Sequence, residues 1–399
     1  MKKVCVVGLG YIGLPTAALL ANNRFNVLGV DVVEETVEIV NRGGIHIIEK
    51  DLEKYVKKAV ENGSLVASTK PDVADVFIIA VPTPFKNNFE PDLKYVIEAT
   101  ISISSFVKKN NLIILESTSP VGTTQIVKNT LKENGVDVSN IFIAHCPERV
   151  LPGNIIKELT ENDRIVGGID KASTKKAVDF YKCFVSGKVF ETDDRTAELA
   201  KLTENSFRDV NIAFANELSI ICDNLGIDVR ELIGLTNKHP RVDILSPGAG
   251  VGGHCIAVDP WFIIDADKKN SRLIKLARKR NLEKTSWVIN KINQKAKDFE
   301  STNKRNPKIA CMGLAFKPNI DDLRESPALQ IVKSLILEGH DIIAVEPNIK
   351  SHSDIKLSSI ENAVKNADII TFLVGHDEFK NLNLITDLDF CGILNKGVE

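Results

Sequence analysis

The sequence predicts an α/β fold in which two doubly wound parallel sheets are joined by a long central helix within a helical middle segment. Short apolar runs alternate with helical patterns in the first half, strand signals disappear in the middle, and they return after Asn306. Strands that alternate with helices favour a parallel sheet with crossover helices. We therefore predict three domains, at residues 1–192, 193–294 and 295–399.

Composition excludes several classes of protein. The 51 Lys and Arg residues nearly balance the 53 Asp and Glu residues, so no strong positive charge is available to bind nucleic acid. The apolar runs are shorter than the roughly 20 residues that a membrane helix needs. Seven cysteines without a Cys-x-x-Cys pair, and no signal peptide, predict a cytoplasmic protein with reduced thiols. We interpret the short basic cluster at 278–280 as a solvated helix face.

The first strand signal, Lys3–Val7, runs into a glycine motif formed by Gly8, Gly10 and Gly13. Such glycines allow a tight turn and let a pyrophosphate approach the start of the next helix. Asp31 follows the second strand signal, where a carboxylate can bind the ribose hydroxyls. The pattern predicts a Rossmann-like domain that binds NAD rather than NADP, against the alternative of a glycine-rich turn that binds nothing.

Three further strand signals end in polar side chains. Pro82 and Thr83 follow one strand, Thr118 follows the next, and Glu148 follows the third. In such sheets, ligands bind at the carboxyl ends of the strands. The threonine hydroxyls could therefore contact the cofactor or a reacting water, although ordinary loop chemistry explains them equally well.

The middle segment contains one long helical pattern, from Thr196 to Leu225. Lys201, Asn205 and Arg208 are spaced so that they share a helix face. A lysine, an amide and an arginine on one face favour a site for an oxyanion or a phosphate. A solvated polar face is the competing interpretation.

A glycine-rich loop breaks the helical segment and contains the strongest local signal, Gly248 to Asp259. Its glycines, which include Gly252, leave the chain without side chains just before Cys255, so that a ligand can approach the thiol closely. A thiolate is a competent nucleophile, and Asp259 could hold a water or a lysine. The alternative is a flexible turn with an inert cysteine. We predict no metal site here, because adjacent His254 and Cys255 side chains diverge.

The third region repeats the first without its glycine motif, so we expect it to bind a different ligand. The charged stretch 295–308 is interpreted as a linker loop. Ser326 is predicted to cap a helix that starts at Pro327. Lys317 and Arg324 could bind phosphates, or form surface salt bridges.

Taken together, these blocks resemble the UDP-glucose/GDP-mannose dehydrogenase family over essentially the whole chain. The similarity is greatest to the branch that acts on UDP-N-acetyl-D-mannosamine. The stretches that carry the resemblance are residues 116–122, 146–153, 201–216, 250–262 and 313–327.

The resemblance implies a four-electron oxidation of the sugar C6 alcohol to a carboxylate with two NAD⁺ per substrate. Cys255 would form a thiohemiacetal and then a thioester. Lys201 would exchange protons and, with Asn205, stabilise oxyanions. Glu148, Asp259 and Thr118 would handle the hydrolytic water.

The resemblance also implies the binding residues and a homodimer, or a higher oligomer, that assembles through the long central helix. The UDP-sugar would contact Arg149, Val150, Lys201, Asn205, Arg208, His239, Arg241, Gly252, Phe316, Lys317 and, from the partner subunit, Lys396. NAD would contact the glycine motif, Tyr11, Ile12, Asp31, Pro82, Thr83, Thr118 and Arg324.

Three alternatives remain at this point. The substrate could be UDP-N-acetylglucosamine or UDP-glucose. The reaction could be a simple two-electron oxidation, but such enzymes need no nucleophile like Cys255. A nucleotide-sensing or scaffold protein would be expected to lack Cys255 or Lys201, and both are present.

Overall fold

The structure, a computed structural model, describes residues 2–47, 49–86, 89–150, 153–382, 384, 386 and 388–394. By its internal contacts the chain divides into two units, one formed by residues 1–204 and 261–266 and the other by residues 205–260 and 267–399. The structure confirms the predicted fold class of two parallel-sheet regions and a helical middle segment.

The first unit is built on an eight-stranded sheet with the order β3-β2-β1-β4-β5-β6-β7-β8. Its strands are β1 Lys3–Val7, β2 Asn26–Val30, β3 Leu65–Ser68, β4 Val76–Ile79, β5 Leu112–Leu115, β6 Phe142–His145, β7 Arg164–Gly168 and β8 Val189–Asp193. Neighbouring strands pair in parallel, except that β6 and β7 are antiparallel. The strand order reverses at β1, because β2 and β3 lie on one side of it and β4 lies on the other. In such sheets a ligand binds at the carboxyl ends of the two strands at this point, here β1 and β4.

Helices cover both faces of this sheet, because side chains alternate between the faces along each strand. Val4 and Val6 of β1 join one apolar cluster, and Cys5 and Val7 join the other. The helices are α1 Gly13–Asn22, α2 Glu34–Asn41, α3 Leu52–Glu61, α4 Lys94–Ser104, α5 Thr123–Glu133, α6 Ile155–Glu161 and α7 Lys171–Tyr181.

The middle of the chain is helical, as predicted. It contains α8 Asp194–Leu225, α9 Val229–Thr236, α10 Asp259–Ala266 and α11 Arg272–Asn303. The interpretation of residues 295–308 as a linker loop was wrong for most of that stretch, since α11 continues to Asn303. Ala296 is buried and Phe299 packs against the apolar core of the third region, and these contacts keep the charged segment helical.

The third region contains a parallel sheet with the order β10-β9-β11, formed by β9 Lys308–Met312, β10 Asp341–Val345 and β11 Ile369–Phe372. This order reproduces β2-β1-β4 of the first sheet. Helices α12 Pro327–Leu337 and α13 Ile360–Asn366 belong to the same region. The predicted cap is confirmed, because the Ser326 Oγ accepts a hydrogen bond from the Leu329 N–H at 3.2 Å.

Among the residues that the structure describes, no helix has both the length and the apolar character needed to cross a membrane.

Candidate active site

The glycine motif forms the turn between β1 and α1. A side chain at Gly8, whose φ is +93°, would overlap the Ala80 carbonyl, and one at Gly13 would overlap the Gly8 carbonyl. Gly10, by contrast, faces open space. The helix has no side-chain cap at Ile12, so its first N–H groups have no side-chain acceptor there. These features fit a pyrophosphate at the start of α1.

Asp31 lies directly after β2 and is held by two backbone donors. Its Oδ2 accepts from the Leu9 N–H at 2.9 Å, and its Oδ1 accepts from the Val33 N–H at 3.0 Å. A carboxylate offers about four acceptor positions, so both oxygens can still accept from a ribose diol. The surrounding residues therefore fit an NAD ribose. Tyr11, in the glycine turn, is 36% exposed.

The loops after β4 and β5 are joined by hydrogen bonds at the carboxyl ends of these strands. The Thr83 hydroxyl donates to the Thr118 carbonyl at 2.5 Å, and the Ser117 hydroxyl donates to the Val81 carbonyl at 2.7 Å. Thr118 itself is half-buried, and Pro82 is exposed. The structure thus brings Thr83 and Thr118 together, with the Thr83 proton used to hold the Thr118 backbone.

The carboxyl end of β6 places Glu148 in a nearly buried position. Its Oε2 lies 3.1 Å from Nη1 of Arg164, and its Oε1 accepts from the Arg149 N–H at 2.7 Å. The Arg149 side chain pairs with Glu204 at 2.8 Å and donates to the Asp163 carbonyl. A substrate that used Arg149 would have to share it with Glu204. Val150 is half-buried beside them.

Helix α8 carries the predicted polar row at intervals of four and three residues. Lys201 is half-buried, Asn205 is buried, and Arg208 is exposed. Within the second unit, Asn205 Nδ2 donates to Asp259 Oδ2 at 2.5 Å, where both side chains are buried. The structure therefore joins two of the predicted catalytic residues, although 54 positions separate them in the chain.

Cys255 lies just before α10, is half-buried and forms no disulfide. Its carbonyl accepts from the N–H groups of Val258 and Asp259, at 2.9 and 2.8 Å, as α10 begins. At the other end of the loop, the Gly248 N–H donates to Asn216 Oδ1 at 2.9 Å. The loop that carries Cys255 is therefore fixed by hydrogen bonds at both ends.

The glycines before Cys255 make room for another part of the protein. A side chain at Gly252 would overlap the Glu325 carbonyl, and one at Gly253 would overlap the ring of Phe316. The Gly253 N–H also donates to the Arg324 carbonyl at 3.1 Å. At Gly252 and Gly253, the absence of side chains lets the loop pack against the loop that contains Phe316 and Arg324.

A buried ion pair lies between α8 and α11 beneath this loop. Arg278 Nη1 is 3.0 Å from Asp209 Oδ1 and also donates to the Ile256 carbonyl at 3.3 Å. Asn281 Nδ2 donates to the same carboxylate oxygen at 2.7 Å. Burial raises the pKa of Asp209 to about 6 and lowers the pKa of Arg278. Asp209 and Arg278 therefore support the backbone next to Cys255.

The sequence interpretation missed Arg278, because it treated residues 278–280 as a solvated helix face. Arg278 is only 1% exposed, whereas Lys279 is exposed. A signal was present in the helical spacing, since Ala277, Asn281 and Val288 occupy the same buried face of α11. Its partner Asp209 could not be identified from spacing alone.

The residues that were predicted to bind a ligand in or near the third region differ in their surroundings. Arg324 forms a close ion pair with Asp322, with Nη2 at 2.6 Å from Oδ2, while Phe316 and Lys317 are half-buried. His239 and Arg241 lie exposed on the loop after α9. Lys396 lies outside the described residues.

The third region differs from the first at the acid that follows its second strand. Glu346 Oε2 accepts from the N–H groups of Leu314 and Ala315, at 2.7 and 2.9 Å, and lies 3.0 Å from His376 Nε2. Its Oε1 accepts from the Asn348 N–H. With the Asn348 Nδ2, which lies 3.4 Å from Oε1, five donor groups of the chain thus surround Glu346, whereas two backbone donors hold Asp31. This supports the prediction that the third region binds a different ligand.

Glu346 is expected to stabilise the fold in a pH-dependent way. Burial alone would raise its pKa, but hydrogen bonds from His376, Asn348 and Leu314 lower it to about 2. A lowered pKa stabilises the folded state above the ordinary value of 4.5, and this contribution is lost as the pH falls toward 2. Glu346→Gln should therefore reduce the free energy of unfolding by about 2–3 kcal/mol at neutral pH.

Chemical denaturation at several pH values measures this effect. The difference between Glu346→Gln and the unmodified protein should shrink as the pH falls from 4.5 to 2. Glu378→Gln, at an exposed carboxylate, serves as the control. A difference that stays constant over this range would contradict the assignment of the effect to ionisation of Glu346.

Profiles of a single family match the chain in three consecutive ranges. The NAD binding domain matches residues 2–185, the central domain matches residues 195–283, and the UDP binding domain matches residues 310–389. These ranges include the glycine motif, the Cys255 loop and the Glu346 region, respectively.

Individual relatives cover nearly the whole chain. A Campylobacter jejuni protein named UDP-N-acetyl-D-mannosamine dehydrogenase is 53% identical, over 98% of this chain and 99% of its own length. A Ralstonia nicotianae protein named NDP-N-acetyl-D-galactosaminuronic acid dehydrogenase is 49% identical, over 96% and 92%. The structure of the Staphylococcus aureus UDP-N-acetyl-mannosamine dehydrogenase Cap5O superposes with a TM-score of 0.87 and 44% identity, over 96% and 91%. The chain is thus an NAD-dependent UDP-sugar dehydrogenase and belongs to the UDP-glucose/GDP-mannose dehydrogenase family.

Proposed function

We propose that this enzyme oxidises C6 of UDP-N-acetyl-D-mannosamine to the carboxylate, using two NAD⁺ per substrate and Cys255 as the nucleophile. The observation that carries the proposal is the Cys255 loop, in which a half-buried cysteine outside any disulfide follows a run of glycines and the backbone is fixed at both ends. The name of the Campylobacter jejuni relative supports the choice of substrate.

A nucleophile is needed because an aldehyde cannot readily lose a second hydride. When bound, NAD⁺ would accept the hydride in each oxidation. The Cys255 sulfur adds to the aldehyde and creates a thiohemiacetal, which carries the hydrogen that the second oxidation removes. The resulting thioester is then hydrolysed to the carboxylate. From the thiohemiacetal to the hydrolysis of the thioester, the C6 carbon remains covalently bound to Cys255.

Lys201 and Asn205 support the oxidations. The Lys201 amine accepts the proton of the reacting hydroxyl, and its cationic form stabilises the oxygen as negative charge develops. The Asn205 amide is oriented by its hydrogen bond to Asp259. Glu148, Asp259 and Thr118 position and deprotonate the water that releases the product.

Binding is assigned to the residues identified above. NAD is held by the glycine motif, Asp31, the loops of Thr83 and Thr118, and Arg324. The UDP-sugar is held by side chains that supply cationic or aromatic contacts to the diphosphate and uracil. These side chains are Arg149, Arg208, His239, Arg241, Phe316, Lys317 and the partner's Lys396. Val150 and Gly252 belong to the backbone around them.

A substrate panel tests the proposal. Purified enzyme is given NAD⁺ with UDP-N-acetylmannosamine, UDP-N-acetylglucosamine, UDP-N-acetylgalactosamine or UDP-glucose, and the products are identified by mass spectrometry. We expect the uronate to form fastest from UDP-N-acetylmannosamine. Faster oxidation of UDP-N-acetylgalactosamine would replace the substrate assignment with the one that the Ralstonia relative's name suggests.

We also propose that the enzyme is a homodimer assembled through α8. Phe207, Phe214 and Ile221 repeat every seven residues, so they share one helix face, and they are 67%, 52% and 45% exposed. A row of large exposed apolar side chains is typical of a protein interface. The same face of a second copy is the occupant that we propose.

Phe214→Glu is expected to convert the dimer into a monomer, because it would place two carboxylates in the apolar contact. Sedimentation velocity measures the change. Phe190→Glu, at an exposed phenylalanine of β8, is the matched control and should leave the dimer intact. An unmodified protein that sediments as a monomer would contradict the proposal.

A further inference from the structure

Glu148 is paired with a buried arginine from the neighbouring antiparallel strand. Arg164 begins β7, and its Nη1 lies 3.1 Å from Glu148 Oε2. The two side chains are only 4% and 7% exposed. A guanidinium stays charged at any physiological pH, so Glu148 has a permanent cation beside it.

Arg164 is itself fixed by its surroundings. Its Nη2 donates to the Leu159 carbonyl at 3.1 Å, and its guanidinium lies 5.0 Å from the centre of the Tyr181 ring. The Tyr181 hydroxyl in turn donates to buried Glu116 at 2.6 Å. These contacts leave the guanidinium little freedom, so it imposes a fixed direction on the carboxylate that it binds.

The Glu148 carboxylate retains acceptor positions. Oε1 takes one hydrogen bond from the Arg149 N–H, and Oε2 takes one from Arg164. An ionised carboxylate has about four acceptor positions, so roughly two remain. The arrangement fixes the side chain and keeps it able to bind a water.

We propose that Arg164 is a positioning residue for thioester hydrolysis, which holds the Glu148 carboxylate in one orientation so that it can deprotonate the water; this rests on the function proposed above. The water oxygen bonds to the acyl carbon while one water proton passes to Glu148. The C–S electron pair returns to the Cys255 sulfur as a thiolate. The new carboxylic acid releases its second proton to solvent, and nothing is oxidised or reduced in this step.

The proposal predicts an effect confined to one half of the reaction. Both hydride transfers precede hydrolysis, so they should proceed when Arg164 is altered. The acyl group should then remain on Cys255. A purely structural role would instead slow all steps together and leave no trapped intermediate.

Arg164→Lys is the main test, because it keeps the positive charge but loses the planar two-pronged geometry. We expect kcat to fall about 10- to 100-fold, since general base catalysis contributes about 10²–10⁴-fold. Because the acyl-enzyme would accumulate ahead of a slow hydrolysis, KM should fall together with kcat and leave kcat/KM nearly unchanged. Rapid mixing should show a burst of two NADH per subunit, and intact-protein mass spectrometry should detect the acyl adduct.

Comparison variants separate the possible outcomes. Glu148→Gln should give the same burst and adduct, and Arg305→Lys, which alters a paired but exposed arginine, should behave like the unmodified enzyme. Arg164→Met removes the positive charge altogether, and the double variant Arg164→Met/Glu148→Gln removes both charges. If Arg164→Met fails to fold, Arg164→Lys and the double variant remain informative. Both of these should accumulate the adduct. Arg164→Lys with unchanged kcat, or with reduced kcat but no adduct, would overturn the inference. An unmodified enzyme that oxidises no UDP-sugar would refute the proposed function instead.

Discussion

Replacing Cys255 with serine is expected to lower the rate of uronate formation by at least about 10³-fold, as loss of a catalytic nucleophile does in other enzymes. Serine has nearly the same size, so the loop fixed by Gly248 and by the start of α10 should keep its conformation. A hydroxyl is a much weaker nucleophile than a thiolate, because little of it is ionised at neutral pH. The variant should therefore fail after the first oxidation.

Steady-state NADH formation and product analysis measure this loss. Cys183→Ser is the matched control, since Cys183 is an exposed cysteine on the surface of the first unit. It should retain full activity. A Cys255→Ser enzyme that produces uronate at a rate within about tenfold of the unmodified enzyme would show that the thiol is not the nucleophile.

Removing Arg278 is expected to cause a large loss of stability. Arg278→Met would leave Asp209 buried without its cation, and breaking a buried ion pair in this way costs about 3–5 kcal/mol. It would also release the Ile256 carbonyl, which Arg278 binds at 3.3 Å. Because Ile256 follows Cys255 directly, activity should decline even at temperatures where the variant stays folded.

Guanidinium chloride unfolding measures the change in the free energy of unfolding. Arg280→Met is the control, since Arg280 is partly exposed and pairs with Glu217 and Glu283 at the surface. It should cost less than about 1 kcal/mol. The double variant Arg278→Met/Asp209→Asn should recover much of the stability, because it removes the uncompensated charge. A loss below about 1 kcal/mol for Arg278→Met would contradict this account.

The first nucleotide-binding half was predictable because its signals are local. The glycine motif, the strand before it and Asp31 lie within 31 residues, and each has a direct backbone consequence. The third region was predictable for the same reason. Its strands follow the same order around β9, and the Gly313 N–H donates to the Val345 carbonyl as the Gly8 N–H donates to the Val30 carbonyl.

The buried charged pairs were not predictable, because their partners are distant in sequence. Nothing in the spacing of Arg164 and Glu148, or of Arg278 and Asp209, distinguishes a buried pair from two solvated side chains. Burial decides this, and burial depends on tertiary packing. The charged end of α11 was missed for a similar reason, since Phe299 packs on a core that the local sequence does not reveal.

The glycine-rich loop has a packing role that the sequence did not reveal. The sequence interpretation explained its glycines by the approach of a ligand to Cys255. The structure adds that Gly252 and Gly253 are needed because Phe316 and the Glu325 carbonyl occupy the adjacent space. The absence of side chains at Gly252 and Gly253 therefore serves the packing of the loop as well as the catalytic role that we propose for it.

The most direct test of the central claim is the stoichiometry of a single limiting substrate. UDP-N-acetylmannosamine is added in known amount to the enzyme with excess NAD⁺, and the NADH formed at completion is measured by absorbance. A four-electron oxidation through Cys255 predicts two NADH for each sugar nucleotide, with no free aldehyde. One NADH per sugar nucleotide, with an aldehyde as the final product, would contradict it.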